Sequence, residues 1–126
     1  MERVLVDTHA LLWWLYDDPA LPTDIALLID DRGTDAVVSI ASVWEVAIKR
    51  GLGKLEAPDD LPGVLEGEDF TLLPITSPHA WAVRELPHHH RDPFDRMLVA
   101  QAILEGIPLV SGDPRFAAYD VEVRWD

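Results

Sequence analysis

Four acidic residues stand where short apolar runs give way to helical patterns: Asp7 after VLV, Glu45 in SVWE, Asp95 in DPFD, and Asp113 after LVSG. If those runs are strands of one parallel sheet, their ends bring the four carboxylates together. Like charges repel at such spacing unless a cation sits among them. Carboxylate oxygens suit a hard divalent ion, which keeps part of its water shell and can neutralise phosphate oxygens. Phosphodiester chemistry with a metal-activated water is therefore the first expectation.

Each acid also has a purely structural explanation. Asp7 can cap a helix starting near His9, Glu45 can close a capping box with Ser42, and Asp113 can cap the turn DPRF. Asp95 can serve the helix dipole. These explanations suffice one at a time. Together they leave unexplained why four caps gather at one edge of a small sheet, where each raises the energy of the others.

The elements that must position the acids follow from hydrophobic patterning. Short β-branched runs alternate with helical segments, which is the pattern of βα units and a mostly parallel sheet. The expected strands are 4–6, 36–38, 70–73, 109–111 and 121–123. Thr23 is expected to cap a helix through Asp31, and Ser42 a helix that stops at Gly51. Ser77 before Pro78 and Asp92 before Pro93 each read as a cap followed by proline at the first helical position. The last of these helices runs through MLVAQAILE to Gly106, and the stretch LEAPDDLPGVLEGEDF is a connection holding one short helix. Ligands of an open parallel sheet gather outside the carboxyl ends of its strands, and Asp7, Ser39 and Asp113 all follow expected strands directly. Glu45 and Asp95 are expected in the first turns of their helices.

With 126 residues, 48% of them hydrophobic, the chain suits a single domain, residues 1–126, of α/β class. Asp and Glu number 23 against 10 Lys and Arg, a formal charge of -13, so the molecule as a whole repels polyanions. A nucleic-acid substrate has to be held locally, by metal ions and by whichever of Lys49, Arg50, Lys54, Arg84, Arg91, Arg96 and Arg115 lie close. The absence of cysteine excludes disulfides, thiolate catalysis and finger-type zinc sites. The apolar part of the N-terminus is interrupted by Asp7 and His9 and is too short to span a bilayer, so the expectation is a cytoplasmic protein with no membrane partner.

The segments DTHALLWWL, SVWEVAIKRGLGKL, LPHHHRDPFDRMLVAQA, LVSGDPRF and YDVEV together resemble the PIN-domain family, and within it the VapC-type toxins of bacterial toxin–antitoxin pairs. The resemblance spans nearly the whole chain. It implies a three-layer α/β/α fold around a mostly parallel sheet of about five strands. The acids of the family, after the first strand, on the helix after the second, opening the long late helix and after the fourth strand, fall on Asp7, Glu45, Asp95 and Asp113. The activity implied is a Mg²⁺- or Mn²⁺-dependent endoribonuclease that leaves a 5′-phosphate and a 3′-hydroxyl. A homodimer silenced by a VapB-like antitoxin is implied with it.

Within that frame Asp7, Asp95 and Asp113 are the expected metal ligands. Glu45 is expected either to bind through water or to orient the attacking water. Thr8, Ser39 and Ser111 are candidates to fix carboxylate rotamers. Asp92 is either a fifth acid of the site or an ordinary cap, and Arg96 pairs with Asp95 or Asp92 or meets substrate phosphate. Lys49, Arg50 and Lys54 form the densest basic group, readable as a solvated helix end or as an RNA contact. His88, His89 and His90 cannot all face one ion from a loop. Their reading is open between packing the start of the late helix, touching RNA phosphate and binding a transition metal. The helix ALLWWLY is apolar all round, so Trp13 and Trp14 are candidates for a partner groove, while Trp44 and Trp81 are expected in the core.

Rival chemistries fit less well. A phosphatase of the haloacid dehalogenase type needs a second Asp two residues after the first, where His9 stands, and a receiver domain needs a central phosphorylatable Asp and a late Lys that are not found. The remaining alternative is a PIN fold that keeps its acids but works as a protein-binding module without turnover.

Overall fold

A computed structural model describes residues 2–126. Five strands, β1 (Glu2–Val6), β2 (Thr34–Ser39), β3 (Thr71–Leu73), β4 (Leu109–Val110) and β5 (Val123–Arg124), form one sheet in the order β3-β2-β1-β4-β5. Every pairing is parallel. Six helices cover the sheet: α1 (Thr8–Leu15), α2 (Thr23–Asp30), α3 (Ile40–Gly51), α4 (Leu61–Gly67), α5 (Ser77–Ala82) and α6 (Pro93–Glu105). The result is the expected three-layer α/β/α architecture.

Alternation along β1 shows why the sheet is buried on both faces. Val4 and Val6 point into one core, with Leu11, Ile25 and Leu65 of α1, α2 and α4; Leu5 points into the other, with Leu98, Val99 and Phe116. Strands covered on both sides read as unbroken apolar runs, as VLV and AVV do here. The order of strands reverses at β1, which puts the crevice of this α/β sheet beside the carboxyl end of β1. Among the described residues no helix is long and apolar enough to cross a membrane.

Several helix starts differ from the sequence expectation, always toward the residue that leaves the preceding extended segment. Ser39, the last residue of β2, caps α3 by accepting from the Ala41 N–H at 2.9 Å. The chain turns straight from strand to helix, so Ser42 caps nothing and Glu45 lies in the second turn, not the first. Thr76 caps α5 in a reciprocal box with His79, and Ser77 is already helical. Thr23 likewise is the first residue of α2, which no side chain caps. Asp92 does cap α6, accepting from the N–H groups of Phe94 and Asp95 at 2.8 and 3.1 Å with Pro93 in the first turn. Gly106 ends α6 at φ 66°, a left-handed conformation for which glycine carries no penalty. Three strands are shorter than expected: β3 begins at Thr71, β4 ends at Val110, and β5 shifts to Val123–Arg124 because these residues align with Leu109 and Val110.

Trp44 and Trp81 are not core residues. They are 57% and 68% exposed, Trp44 lying edge-on to Phe94 at 5.0 Å and Trp81 lying under the Arg84 guanidinium at 4.5 Å. Trp44 lies on the solvent-facing side of α3, whose opposite face buries Ala41 and Val46, while α5 buries only His79 and leaves Trp81 outside.

Candidate active site at the carboxyl ends of the strands

The capping explanation and the functional one hold together for Asp7 and Asp113. Asp7 caps α1 with Oδ1, which accepts from the Ala10 N–H at 2.8 Å. Asp113 caps the short turn Pro114–Ala118 with Oδ1, which accepts from the Arg115 N–H at 2.9 Å. A cap uses one carboxylate oxygen and leaves the other for the crevice. Asp95, three residues into α6, caps nothing.

Asp95 and Asp113 converge on a residue that sequence reasoning left unassigned. The His90 ring is 2% exposed, with Nε2 2.9 Å from Asp95 Oδ2 and 3.1 Å from Asp113 Oδ2. The Asp92 N–H donates to its Nδ1 at 3.2 Å, which assigns the ring proton to Nε2; the imidazole donates to Asp113 Oδ2, and Asp95 Oδ2 lies beside the same nitrogen. The position of His90 is built, not incidental. Its backbone N–H donates to Tyr119 Oη at 2.9 Å, Tyr119 donates in turn to Pro87 O at 2.8 Å, and its ring rests against Phe116. His88 and His89 are exposed, and His89 meets only the edge of Tyr119. No local pattern singles out the third histidine of the run; only its place between β4 and α6 does.

Arg96 pairs with neither Asp95 nor Asp92. Its buried guanidinium donates to four backbone carbonyls, of Val83 at 3.1 Å, Leu86 at 3.2 Å, Pro87 at 2.9 Å and His90 at 3.4 Å. It therefore fastens the loop that carries His90. Five donors in a planar fork suit this task, which a lysine could not perform.

Burial and mutual repulsion set the ionisation of the acids. Asp95 is pushed up to about 7, first by burial and then by the charges of Asp92, Glu45, Asp7 and Asp113. Burial also raises Asp7, against hydrogen bonds from Ser111 and Ala10 that pull it down. Asp113 moves the other way, to about 2, because hydrogen bonds from Arg115 and His90 outweigh its desolvation. The Arg115 guanidinium grips both its oxygens, Nε to Oδ1 at 3.1 Å and Nη2 to Oδ2 at 2.9 Å.

Glu45 sits deeper, 2% exposed, with both oxygens engaged. Thr8 Oγ1 donates to Oε1 at 2.7 Å, and Lys49 Nζ meets Oε2 at 2.5 Å. Ser42 Oγ lies 3.0 Å from the same threonine hydroxyl. Of the hydroxyl candidates, Thr8 thus holds Glu45, and Ser111 hydrogen-bonds Asp7 while accepting from the Asp113 N–H at 3.0 Å. Ser39 is spent on capping α3. Arg50 ion-pairs with Asp59, away from the acids.

The donor chemistry fits a divalent cation. Around His90, carboxylate oxygens of Asp95 and Asp113 lie within 4.8 Å of one another, a spacing one ion can span, and Asp7 is near enough for its charge to act on both. Burial first, and then the charges of Asp92, Glu45, Asp7 and Asp113, raise the Asp95 pKa, and a cation at this place would oppose both effects.

The PIN domain profile matches residues 4–122. The chain belongs to the PIN-domain family. Solved structures carry the same fold at low identity. A chain of VapBC2 from Rickettsia felis, bound to a promoter DNA fragment, matches with a TM-score of 0.71 at 15% identity over 98% of this chain and 99% of that one. DNA-bound VapBC from Salmonella typhimurium matches with a TM-score of 0.69 at 18% identity over 98% of both chains. FitAcB from Neisseria gonorrhoeae matches with a TM-score of 0.64 at 20% identity over 95% of both. No curated relative matches the sequence. In this PIN domain the acids lie where the crevice of the fold requires them, at the carboxyl ends of β1 and β4 and the starts of α3 and α6.

Proposed function

We propose that this PIN domain is a VapC-like endoribonuclease toxin that cleaves RNA phosphodiester bonds with Mg²⁺ or Mn²⁺, acts in the cytoplasm, and is neutralised by a cognate antitoxin. The observation that carries the reading is the convergence of Asp95 and Asp113 on His90, with Asp7 near enough for its charge to act on both and Asp95 pushed up to about 7 by burial and by the other acids. Asp7, Asp95 and Asp113 would hold the ion. A divalent ion there supplies Lewis acidity and a water acidified enough to attack phosphorus near pH 7. The residues around it do the rest. His90 orients Asp95 and Asp113, Ser111 orients Asp7, and Thr8 fixes the rotamer of Glu45, whose carboxylate faces the cluster as a fixed charge.

A partner surface is supported on another face. Two neighbouring grooves share Trp14 and Asp30, one of about 610 Å³ reaching Phe70 and one of about 640 Å³ reaching Trp13 and Leu21. Trp14 donates to Asp30 at 3.0 Å and packs edge-on to Phe70. A structure of the same fold from Klebsiella pneumoniae is described as a toxin–antitoxin complex, and an antitoxin helix with an apolar face and basic flank would suit this acidic, Trp-lined surface. A homodimer is part of the same proposal.

The deciding experiment is digestion of total cellular RNA by the purified protein with Mg²⁺, Mn²⁺ or EDTA, beside Asp7→Asn. Discrete fragments that require metal and vanish in the variant are expected. Intact RNA with folded, metal-binding wild type would instead favour a binding module. Trp14→Glu is expected to weaken association with the antitoxin or a second copy while leaving cleavage in place; an unchanged mass in light scattering, alone and with the partner, would remove the groove assignment.

A further inference from the structure

Glu45 is the acid of the site least available to a cation. Its carboxylate is buried, Oε1 takes the Thr8 hydroxyl, and Oε2 takes the Lys49 ammonium at 2.5 Å. Both partners are held on rigid elements: Thr8 opens α1, and Lys49 lies one turn beyond Glu45 on α3 itself. The pair needs no loop movement to form, and taking Glu45 into a metal shell would leave the ammonium without a partner in a part-buried place, which is costly. Lys49 also feels Asp92 and Asp95, so it stands at the edge of the same cluster. Other cations nearby are committed elsewhere, Arg96 to four carbonyls, Arg115 to Asp113 and Arg50 to Asp59.

We propose that Lys49 is a positioning residue of this site: through its ion pair it keeps Glu45 out of metal coordination and sets how tightly the remaining acids bind a divalent ion. Glu45 then acts on the site as a fixed, compensated charge, and the ion is held by the carboxylates around His90. Lys49 thus limits the affinity of the site, since its removal would free a buried carboxylate to join the shell. The inference rests on the metal-dependent reading above.

Mn²⁺ titration by calorimetry of the full chain, in wild type, Lys49→Gln, Glu45→Gln, the double variant and Asp95→Asn, tests it as a double-mutant cycle. Lys49→Gln is expected to tighten Mn²⁺ binding about tenfold, within the usual range for coupled sites. Glu45→Gln alone is expected to stay within about twofold of wild type, and the double variant to match it, since the gain requires a free Glu45. Lys49→Arg, which keeps the ion pair, is expected to keep the wild-type affinity. If Lys49→Gln does not fold, the Glu45→Gln arm still decides: a loss of Mn²⁺ affinity as large as that of Asp95→Asn makes Glu45 a ligand and overturns the inference. Unchanged affinity in folded Lys49→Gln overturns it as well. Metal-dependent RNA cleavage by wild type, run alongside, separates this failure from failure of the nuclease reading. Wild type that neither binds Mn²⁺ nor cuts RNA removes both.

Discussion

Asp95 and Asp113 face the same imidazole from two sides of one crevice, yet burial and neighbours drive their carboxyl groups in opposite directions. Asp95, at the start of α6, is pushed up to about 7; Asp113, after β4, is held near 2. Both feel desolvation, and both receive His90. The difference is that Asp113 has a guanidinium of its own in Arg115, whereas the nearest strong charges around Asp95 are other acids. Asp95 is also the more deeply buried of the two, so burial and the lack of a cation act on it in the same direction, while the Arg115 guanidinium overcomes the lighter desolvation of Asp113. Glu45 likewise has a cation of its own in Lys49. The unpaired acids are the ones for which an arriving divalent ion changes most.

The largest effect that can break this contrast is on metal binding. Mn²⁺ at about a hundred times its Kd should stabilise wild type by about 2.7 kcal/mol. Asp95→Asn should erase that gain while leaving the protein in EDTA no less stable, because it removes a repelled charge. Thermal melts with and without Mn²⁺ read both quantities. A variant that melts early yet still gains from Mn²⁺ would move the site away from Asp95.

A smaller effect concerns pH in EDTA, and its two limbs have opposite sign. The folded pKa of Asp95 lies above its ordinary value of 3.8, so the folded chain holds the extra proton. Its contribution is full below about 4 and is lost as pH rises through about 7. Asp113 is depressed to about 2, so its contribution is present above about 4 and fades as pH falls toward 2. Asp95→Asn should flatten the upper limb of a denaturation series and leave the lower one. An upper limb that survives the substitution would mean another group titrates there.

Much of the site was legible because its parts are local. A polar residue directly after an apolar β-branched run marks the carboxyl end of a strand, which locates Asp7 and Asp113; Asp-Pro followed by a helical pattern locates Asp92 as a cap and Asp95 one turn inside. Glu45 and Lys49 stand at i,i+4 spacing, yet Lys49 read by pattern as a solvated helix end or an RNA contact, and only the structure pairs the two. Ser39 and Ser42 were not separable by pattern, since both can cap and only the length of β2 decides between them. His90 and Arg96 were illegible for a related reason. Arg96 adjoins Asp95 in sequence, but on α6 successive residues point about 100° apart, so it faces the loop carbonyls and not its neighbour.

What the sequence determined by itself is the order of elements and the residue types at their ends, because strand and helix periodicity, caps and proline positions act over a few residues. From these follow the parallel α/β/α sandwich and the gathering of Asp7, Glu45, Asp95 and Asp113 at one end of it. Only the tertiary structure decided how the charges divide: which acid takes Arg115, which takes Lys49, and which meet over His90. Those choices depend on distances between segments far apart in the chain, and electrostatic energies change steeply with exactly such separations and with the water that burial removes.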